Sequence, residues 1–150
     1  MIENDDPAGK ASRGFGGEAP DDAKNPPRAN LALDKAMLFA TWLIPVLEGF
    51  PRSQRFLLGD RLQSNTLDIV EALIEAAYQK APQETLRRVN VLLEKQRLLF
   101  RLAYNLRHLD VRRYEFAARK LDEIGQKVGA WLRHGQSAAR RQPPVRTRGA

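Results

Sequence analysis

Basic side chains gather in the second half of this chain, where their type and distribution suit contact with phosphate groups. Residues 81–150 carry sixteen basic and six acidic residues, a net charge of +10, whereas residues 1–30 and 31–80 are slightly acidic, at −2 and −1. Arginine outnumbers lysine by 18 to 7, and its planar guanidinium matches the geometry of phosphate. This distribution favours a polyanionic partner such as nucleic acid, although a basic surface can also serve solubility alone.

The spacing of the basic residues predicts which of them share a helix face. At about 100° per residue, Arg87, Arg97 and Arg101 fall within one narrow sector of a helix. The candidate nucleic-acid-binding residues are Arg87, Arg88, Lys95, Arg97, Arg101, Arg107, Arg112, Arg113, Arg119, Lys120 and Arg133. The nearest aromatic residues are Tyr104 and Tyr114, and the apolar stripe that contains Tyr114 predicts its burial. The pattern therefore favours contact with the phosphate backbone over base stacking.

Residue types associated with catalysis or metal binding are scarce in this chain. The only histidines are His108 and His134, no glutamate has a histidine three residues later, and there is no cysteine. The glycine-rich segment "RGFGGE" is not followed by the lysine and hydroxyl residue of a phosphate-binding loop. We therefore expect no catalytic residues, no bound metal, no cofactor, and a function other than catalysis.

Four apolar patterns of helical period place the basic residues on helices. The patterns cover about residues 31–48, 51–80, 82–108 and 111–133, and no stretch alternates in the manner of a strand. The links between them have only a few residues, which forces neighbouring helices to run antiparallel. The sequence therefore predicts an all-α protein, an antiparallel up-down-up-down four-helix bundle within residues 30–134.

The segments on either side of the bundle lack a periodic apolar pattern. Residues 1–29 hold four glycines and four prolines and predict a disordered leader. Residues 135–150 hold four arginines and no acid and predict a basic disordered tail. No secretory signal is evident, and the longest apolar run, residues 36–47, is too short to span a bilayer. These features predict a cytoplasmic protein with no membrane association.

Two features of the predicted bundle indicate self-association. The first helix is apolar around most of its circumference, which leaves more apolar surface than one core-facing stripe requires. The fourth helix carries Gly125 and Gly129, and glycine costs about 1 kcal/mol relative to alanine inside a helix. The two glycines therefore indicate a close helix crossing, either between protomers of an oligomer or inside a monomeric bundle.

The segment "FPRSQRFLLGDRL", residues 50–62, places cations where a helix is expected to begin. Pro51 suits the first helical position, but Arg52 and Arg55 oppose the partial positive charge of a helix N-terminus. A phosphate or a carboxylate near this end would offset the repulsion. The two arginines are therefore candidates for nucleic-acid contact or for a salt bridge within or between protomers.

Four segments of the chain resemble a known family, in the same order along the sequence. The segments are "FPRSQRFLLGDRL", "LDIVEALIEA", "LLEKQRLLFRLAYNLRHL" and "YEFAARKLDEIGQKVGAWL", and the resemblance covers residues 31–134. The family is the accessory variability determinant of diversity-generating retroelements, which is related to bundle proteins encoded in intervening sequences of 23S ribosomal RNA genes. The more specific motif residues are Pro51, Arg52, Arg55, Gly125, Gly129 and Trp131.

The resemblance implies a function as well as a fold. It implies a four-helix bundle that forms a homopentamer, binds the reverse transcriptase of its retroelement, and binds RNA and DNA. It further implies that the protein supports mutagenic reverse transcription and retrohoming without catalytic activity of its own. The alternatives are an RNA-associated bundle of the ribosomal intervening-sequence type and a protein-interaction bundle that binds no nucleic acid.

Overall fold

A computed structural model of the chain describes residues 27–141, and its regular elements are all helical. The helices are α1 Pro27–Glu48, α2 in three consecutive segments, Arg52–Gln54, Arg55–Gly59 and Asp60–Tyr78, α3 Gln83–Asn105, and α4 Val111–Arg141. The described residues contain no strand, so the predicted all-α four-helix architecture is confirmed. The remaining parts of the predicted leader and tail, residues 1–26 and 142–150, lie outside the described residues.

Helices α1 and α4 are longer than their apolar patterns predict. Helix α1 begins four residues before its predicted start, at Pro27, and α4 continues eight residues past its predicted end, to Arg141. Residues 135–141 read "GQSAARR", in which only Gly135 strongly disfavours a helix, and the first proline after them is Pro143. This part of the predicted tail is therefore helical, because nothing in its sequence ends the helix.

Contacts between the helices show that neighbouring helices run in opposite directions. Near the end of α3, Tyr104 stacks on Tyr114 near the start of α4, whereas Gln83 at the start of α3 lies beside Gly135. The same reversal relates α1 to α4 and α2 to α3. The contacts concerned are Lys35–Glu123, Trp42–Phe116, Leu62–Gln96 and Glu75–Arg88. The three reversals together give the up-down-up-down order that the short links predict.

The core is an apolar seam to which each helix contributes one face. The buried residues of α1 include Ala32, Ala36, Phe39, Leu43 and Leu47, at the three- and four-residue spacing of a helix. Phe39 meets Phe100 of α3 edge-on, with ring centroids 5.8 Å apart. Trp131 of α4 is also buried, so this motif residue acts in packing.

A buried polar network joins α2 to α3 within this apolar core. Gln96 is fully buried, and its Nε2 donates hydrogen bonds to the Thr66 hydroxyl at 2.8 Å and the Leu62 carbonyl at 3.1 Å. The side-chain oxygen of Gln96 accepts a hydrogen bond from Asn65, whose amide also donates to the Leu92 carbonyl at 2.9 Å. The leucine stripes of two helices can pack in more than one register. These hydrogen-bond donors and acceptors, however, face each other in only one register. The network therefore fixes the register of α2 against α3.

Of the two glycines expected at a close helix crossing, only Gly125 lies close to another helix within the described residues. A Cβ at this residue would lie 3.1 Å from Arg97 Nη2 and 3.9 Å from Leu93 of α3. A Cβ at Gly129 would meet, among the described residues, only Arg133 of its own helix, at 3.3 Å. Gly125 therefore makes room for the Arg97 guanidinium, a contact that the spacing of the glycines does not reveal.

We expect Gln96→Leu, which replaces the amide with an apolar side chain and removes three hydrogen bonds, to destabilise the bundle by about 1–3 kcal/mol. Asn65 and Thr66 then keep only their bonds to backbone carbonyls, in a core that excludes water. The measurement is the free energy of unfolding from a urea titration. Gln63→Leu, at an exposed position of α2, is the matched control and should change that free energy by less than about 0.5 kcal/mol. Equal losses in the two variants would contradict the role of the network.

Candidate nucleic-acid interface

Helix α4 presents exposed arginines at multiples of seven residues. This arginine row consists of Arg112, Arg119, Arg133 and Arg140, with Gln126 at the intermediate position. Seven residues span nearly two helical turns, so successive positions lie about 10 Å apart along the axis and nearly in line. Sequence reasoning missed Arg140 because it ended the fourth helix near residue 133, although its spacing from the other arginines was a signal that could have found it.

The outward side of α3 continues this basic surface. Arg87 and Arg101 are exposed and lie fourteen residues apart, again a multiple of seven. Arg97, one turn before Arg101, contacts Asp122 of α4 at 3.2 Å, and Asp122 lies one turn after Arg119. These contacts place Arg87 and Arg101 beside the arginine row. We call the combined surface, Arg87 and Arg101 with the arginine row, the α3–α4 face.

Four of the candidate cations are engaged with carboxylates. The pairs are Arg88–Glu75 at 2.7 Å, Arg97–Glu94, Arg97–Asp122 at 3.2 Å, Arg113–Asp110 at 3.8 Å and Lys120–Glu123 at 3.4 Å. Arg97 is the most enclosed of the four, and its guanidinium also donates to the Leu121 carbonyl at 3.5 Å, in the seam between α3 and α4. The positions of these cations favour structural roles between and at the ends of helices.

The other seven candidates form no ion pair with another residue in the range 27–141. They are Arg87, Lys95, Arg101, Arg107, Arg112, Arg119 and Arg133, and all are exposed. Exposed cations without a neighbouring carboxylate keep their charge available for phosphate. Lys95 shares its sector of α3 with Arg88, which contacts α2, so it lies away from the α3–α4 face.

Lys35 of α1, which was not predicted as a site residue, joins Lys120 at the Glu123 carboxylate. Lys35 Nζ donates a hydrogen bond to Glu123 at 3.2 Å, and Lys120 Nζ donates to the same oxygen at 3.4 Å. The hydrogen bond from Lys35 is the largest cause that holds the pKa of Glu123 below its usual value, with a smaller contribution from Lys120. The contacts between α1 and α4 at Glu123 are therefore present at neutral pH and are lost as the pH falls through that lowered pKa.

The link between α1 and α2 shows how the arginines of the "PRSQR" motif are accommodated. Pro51 precedes the helix, and its carbonyl accepts hydrogen bonds from the backbone N–H groups of Gln54 and Arg55, at 2.8 and 3.0 Å. Arg55 Nε donates to the Phe50 carbonyl at 3.1 Å, so a backbone oxygen faces this cation. Arg52 is exposed, and neither arginine forms an ion pair with another described residue. The motif therefore stabilises the link in this chain, while Arg52 stays available to a partner.

The described helices show neither a metal-binding cluster nor a membrane-spanning segment. No group of three histidine, aspartate or glutamate side chains within residues 27–141 is arranged to hold a metal ion. None of the helices in that range is both long enough and apolar enough to cross a membrane.

Comparison with known proteins places the bundle in a family. The family model described as bAvd-like matches residues 31–135, which include all of α2 and α3 and most of α1 and α4. Among curated proteins, none matches the chain. The match agrees with the resemblance to accessory variability determinants that the four sequence segments indicate. With more than two thirds of its length matched, the chain belongs to the bAvd-like family.

Proposed function

We propose that this protein is a non-catalytic accessory subunit of a diversity-generating retroelement. In this role it binds the reverse transcriptase of the element together with template RNA and cDNA. The complex then supports mutagenic reverse transcription and retrohoming in the cytoplasm. The observation that carries the proposal is membership of the bAvd-like family. The charge of the α3–α4 face supports the nucleic-acid part of it.

The α3–α4 face suits contact with the phosphate backbone of a strand. Its arginines stand on helices, so their relative positions are set by the bundle rather than by a loop. Successive positions of the row lie about 10 Å apart. A nucleic-acid strand that runs along α4 would therefore have more than one phosphate between one contact and the next. Such contacts hold a strand without reading its bases. This property suits a subunit that must hold both an RNA template and the new cDNA.

The outward side of α1 supports the proposal that the subunit forms a homo-oligomer, a pentamer by family resemblance. Leu38 is 71% exposed, and Met37 and Ile44 are 50% and 41% exposed. All three are large apolar residues on a helix whose other side already fills the core. Burial of these side chains against a second copy would remove them from water, which is favourable by about 25 cal/mol per Å² of apolar surface.

Co-expression with the reverse transcriptase of the same retroelement tests the proposed function. We expect the full chain to co-purify with that enzyme at low salt. A reverse transcriptase from outside this class of retroelement is the control and should not co-purify. If the folded chain fails to co-purify with its own enzyme at low salt, the proposal is wrong.

Arg119→Gln should weaken RNA binding to a similar degree for all sequences, because a phosphate contact carries no base information. Removal of one such contact should reduce the slope of log K against log salt by about 0.7 for a single strand. The measurement is fluorescence anisotropy with labelled RNA over a series of salt concentrations. Arg61→Gln, an exposed arginine on α2, is the matched control. An unchanged slope in Arg119→Gln would exclude this residue from the interface.

Leu38→Glu should reduce the oligomer to a smaller species, because it places a charge on the apolar side of α1. The measurement is molar mass by light scattering after size-exclusion chromatography. Tyr78→Glu, at a residue that is 84% exposed at the end of α2, is the control and should leave the mass unchanged. An oligomer of unchanged mass in Leu38→Glu would show that α1 does not form the interface.

A further inference from the structure

The end of α3 carries an arginine where the backbone favours glycine. The N–H groups of Arg107 and His108 donate to the carbonyls of Tyr104 and Ala103, both at 2.9 Å, which is the hydrogen-bond pattern of a Schellman motif. Arg107 occupies the left-handed position of this motif, with φ of 62°. Glycine adopts that conformation without strain, whereas a residue with a Cβ does not. The fold alone therefore gives no reason for an arginine here.

A cavity of about 360 Å³ that is largely open to solvent lies beside Arg107, between the end of α3 and the start of α4. Its lining residues are Tyr104, Asn105, Arg107, Leu109, Asp110 and Val111. The lining combines an aromatic ring, a side-chain amide and a guanidinium, which are the groups that bind an unpaired nucleotide by stacking, base-edge hydrogen bonds and phosphate contact.

Tyr104 is held in position by a second aromatic ring. It stacks on Tyr114 of α4 with ring centroids 4.7 Å apart and an interplanar angle of 15°. Tyr114 is partly buried, whereas Tyr104 remains 38% exposed and lines the cavity. The stack therefore presents a fixed ring to the solvent at the corner between α3 and α4 that Tyr104, Asn105 and Arg107 form.

We propose that this corner binds an unpaired base of single-stranded RNA or DNA. The base stacks on Tyr104, the amide of Asn105 hydrogen-bonds its edge, and Arg107 contacts an adjacent phosphate. A base within a duplex is already stacked on both sides, so the corner selects single strands. Arg101, one turn before Tyr104, connects the corner to the α3–α4 face. The inference rests on the proposed nucleic-acid function and adds a base-binding position to a surface that otherwise contacts phosphates.

The test is a comparison of two labelled single-stranded DNA oligonucleotides of about 16 nucleotides, one oligo-dA and one with abasic sites in place of most bases. Binding to the full chain is measured by fluorescence anisotropy at low salt. Tyr104→Ala should weaken binding to oligo-dA roughly five- to 150-fold, the range expected for loss of one stacked base. It should leave binding to the abasic strand unchanged. Tyr104→Phe, which keeps the ring, should recover most of the affinity.

Tyr78→Ala is the matched control for these substitutions. Tyr78 is an exposed tyrosine at the opposite end of the bundle, so its removal should not change either affinity. If Tyr104→Ala binds oligo-dA as well as the unchanged protein does, the base-binding proposal is wrong and the phosphate-contact function stands. If the unchanged protein binds neither oligonucleotide, the base-binding proposal and the nucleic-acid part of the proposed function both fail.

Arg107→Gly separates loss of the ligand contact from damage to the fold. Glycine suits the left-handed conformation, so the urea midpoint of unfolding should equal or exceed that of the unchanged protein. Binding to both oligonucleotides should nevertheless fall several-fold, because one phosphate contact is removed. Undiminished binding in this variant would exclude Arg107 from the site.

Discussion

Register between antiparallel helices is the constraint on which every surface of this protein depends. The polar network around Gln96 sets α2 against α3, and the contacts of Arg97 with Asp122 and the Leu121 carbonyl set α3 against α4. A slip of one turn would displace facing residues by about 5 Å. The arginines of α3 would then lose their place beside those of α4, and Tyr104 would no longer face Tyr114. Polar contacts inside the bundle therefore determine which groups come together on its outside.

Carboxylates sort the basic residues into two populations. Carboxylates near a helix–helix interface or a helix end, such as Glu75 and Asp122, form ion pairs with the neighbouring cations. The other cations face outward. Along α4 the outward arginines stand about 10 Å apart, or about 20 Å apart across Gln126, and these spacings exceed the Debye length at physiological ionic strength, about 8 Å. Salt therefore weakens the repulsion among them. A polyanion that follows the row meets several of them at once, so their attractions to it add.

Much of this architecture follows from the sequence, because apolar residues at helical spacing and short links leave few other arrangements. Three features of the structure do not follow from the local sequence pattern. Pairing of Arg97 with Asp122 depends on register between helices, which a single helix does not encode. The apolar stripe weakens before α4 ends, so the pattern predicts an end at about residue 133, whereas the helix continues to Arg141. The conformation of Arg107 is set by hydrogen bonds to the preceding turn, at a position where sequence rules expect glycine.

The last turns of α4 differ from the rest of the helix in what supports them. Gly135 lies beside Gln83, the first residue of α3, so residues 136–141 continue beyond the end of that neighbour. An unpacked helix end is maintained by its own hydrogen bonds and by continuity with the turns before it. The free energy that opens such an end is small compared with that of global unfolding. Among the described residues, Arg140 can therefore change its position while the bundle stays closed, whereas Arg112 and Arg119 are held by the packed part of the helix.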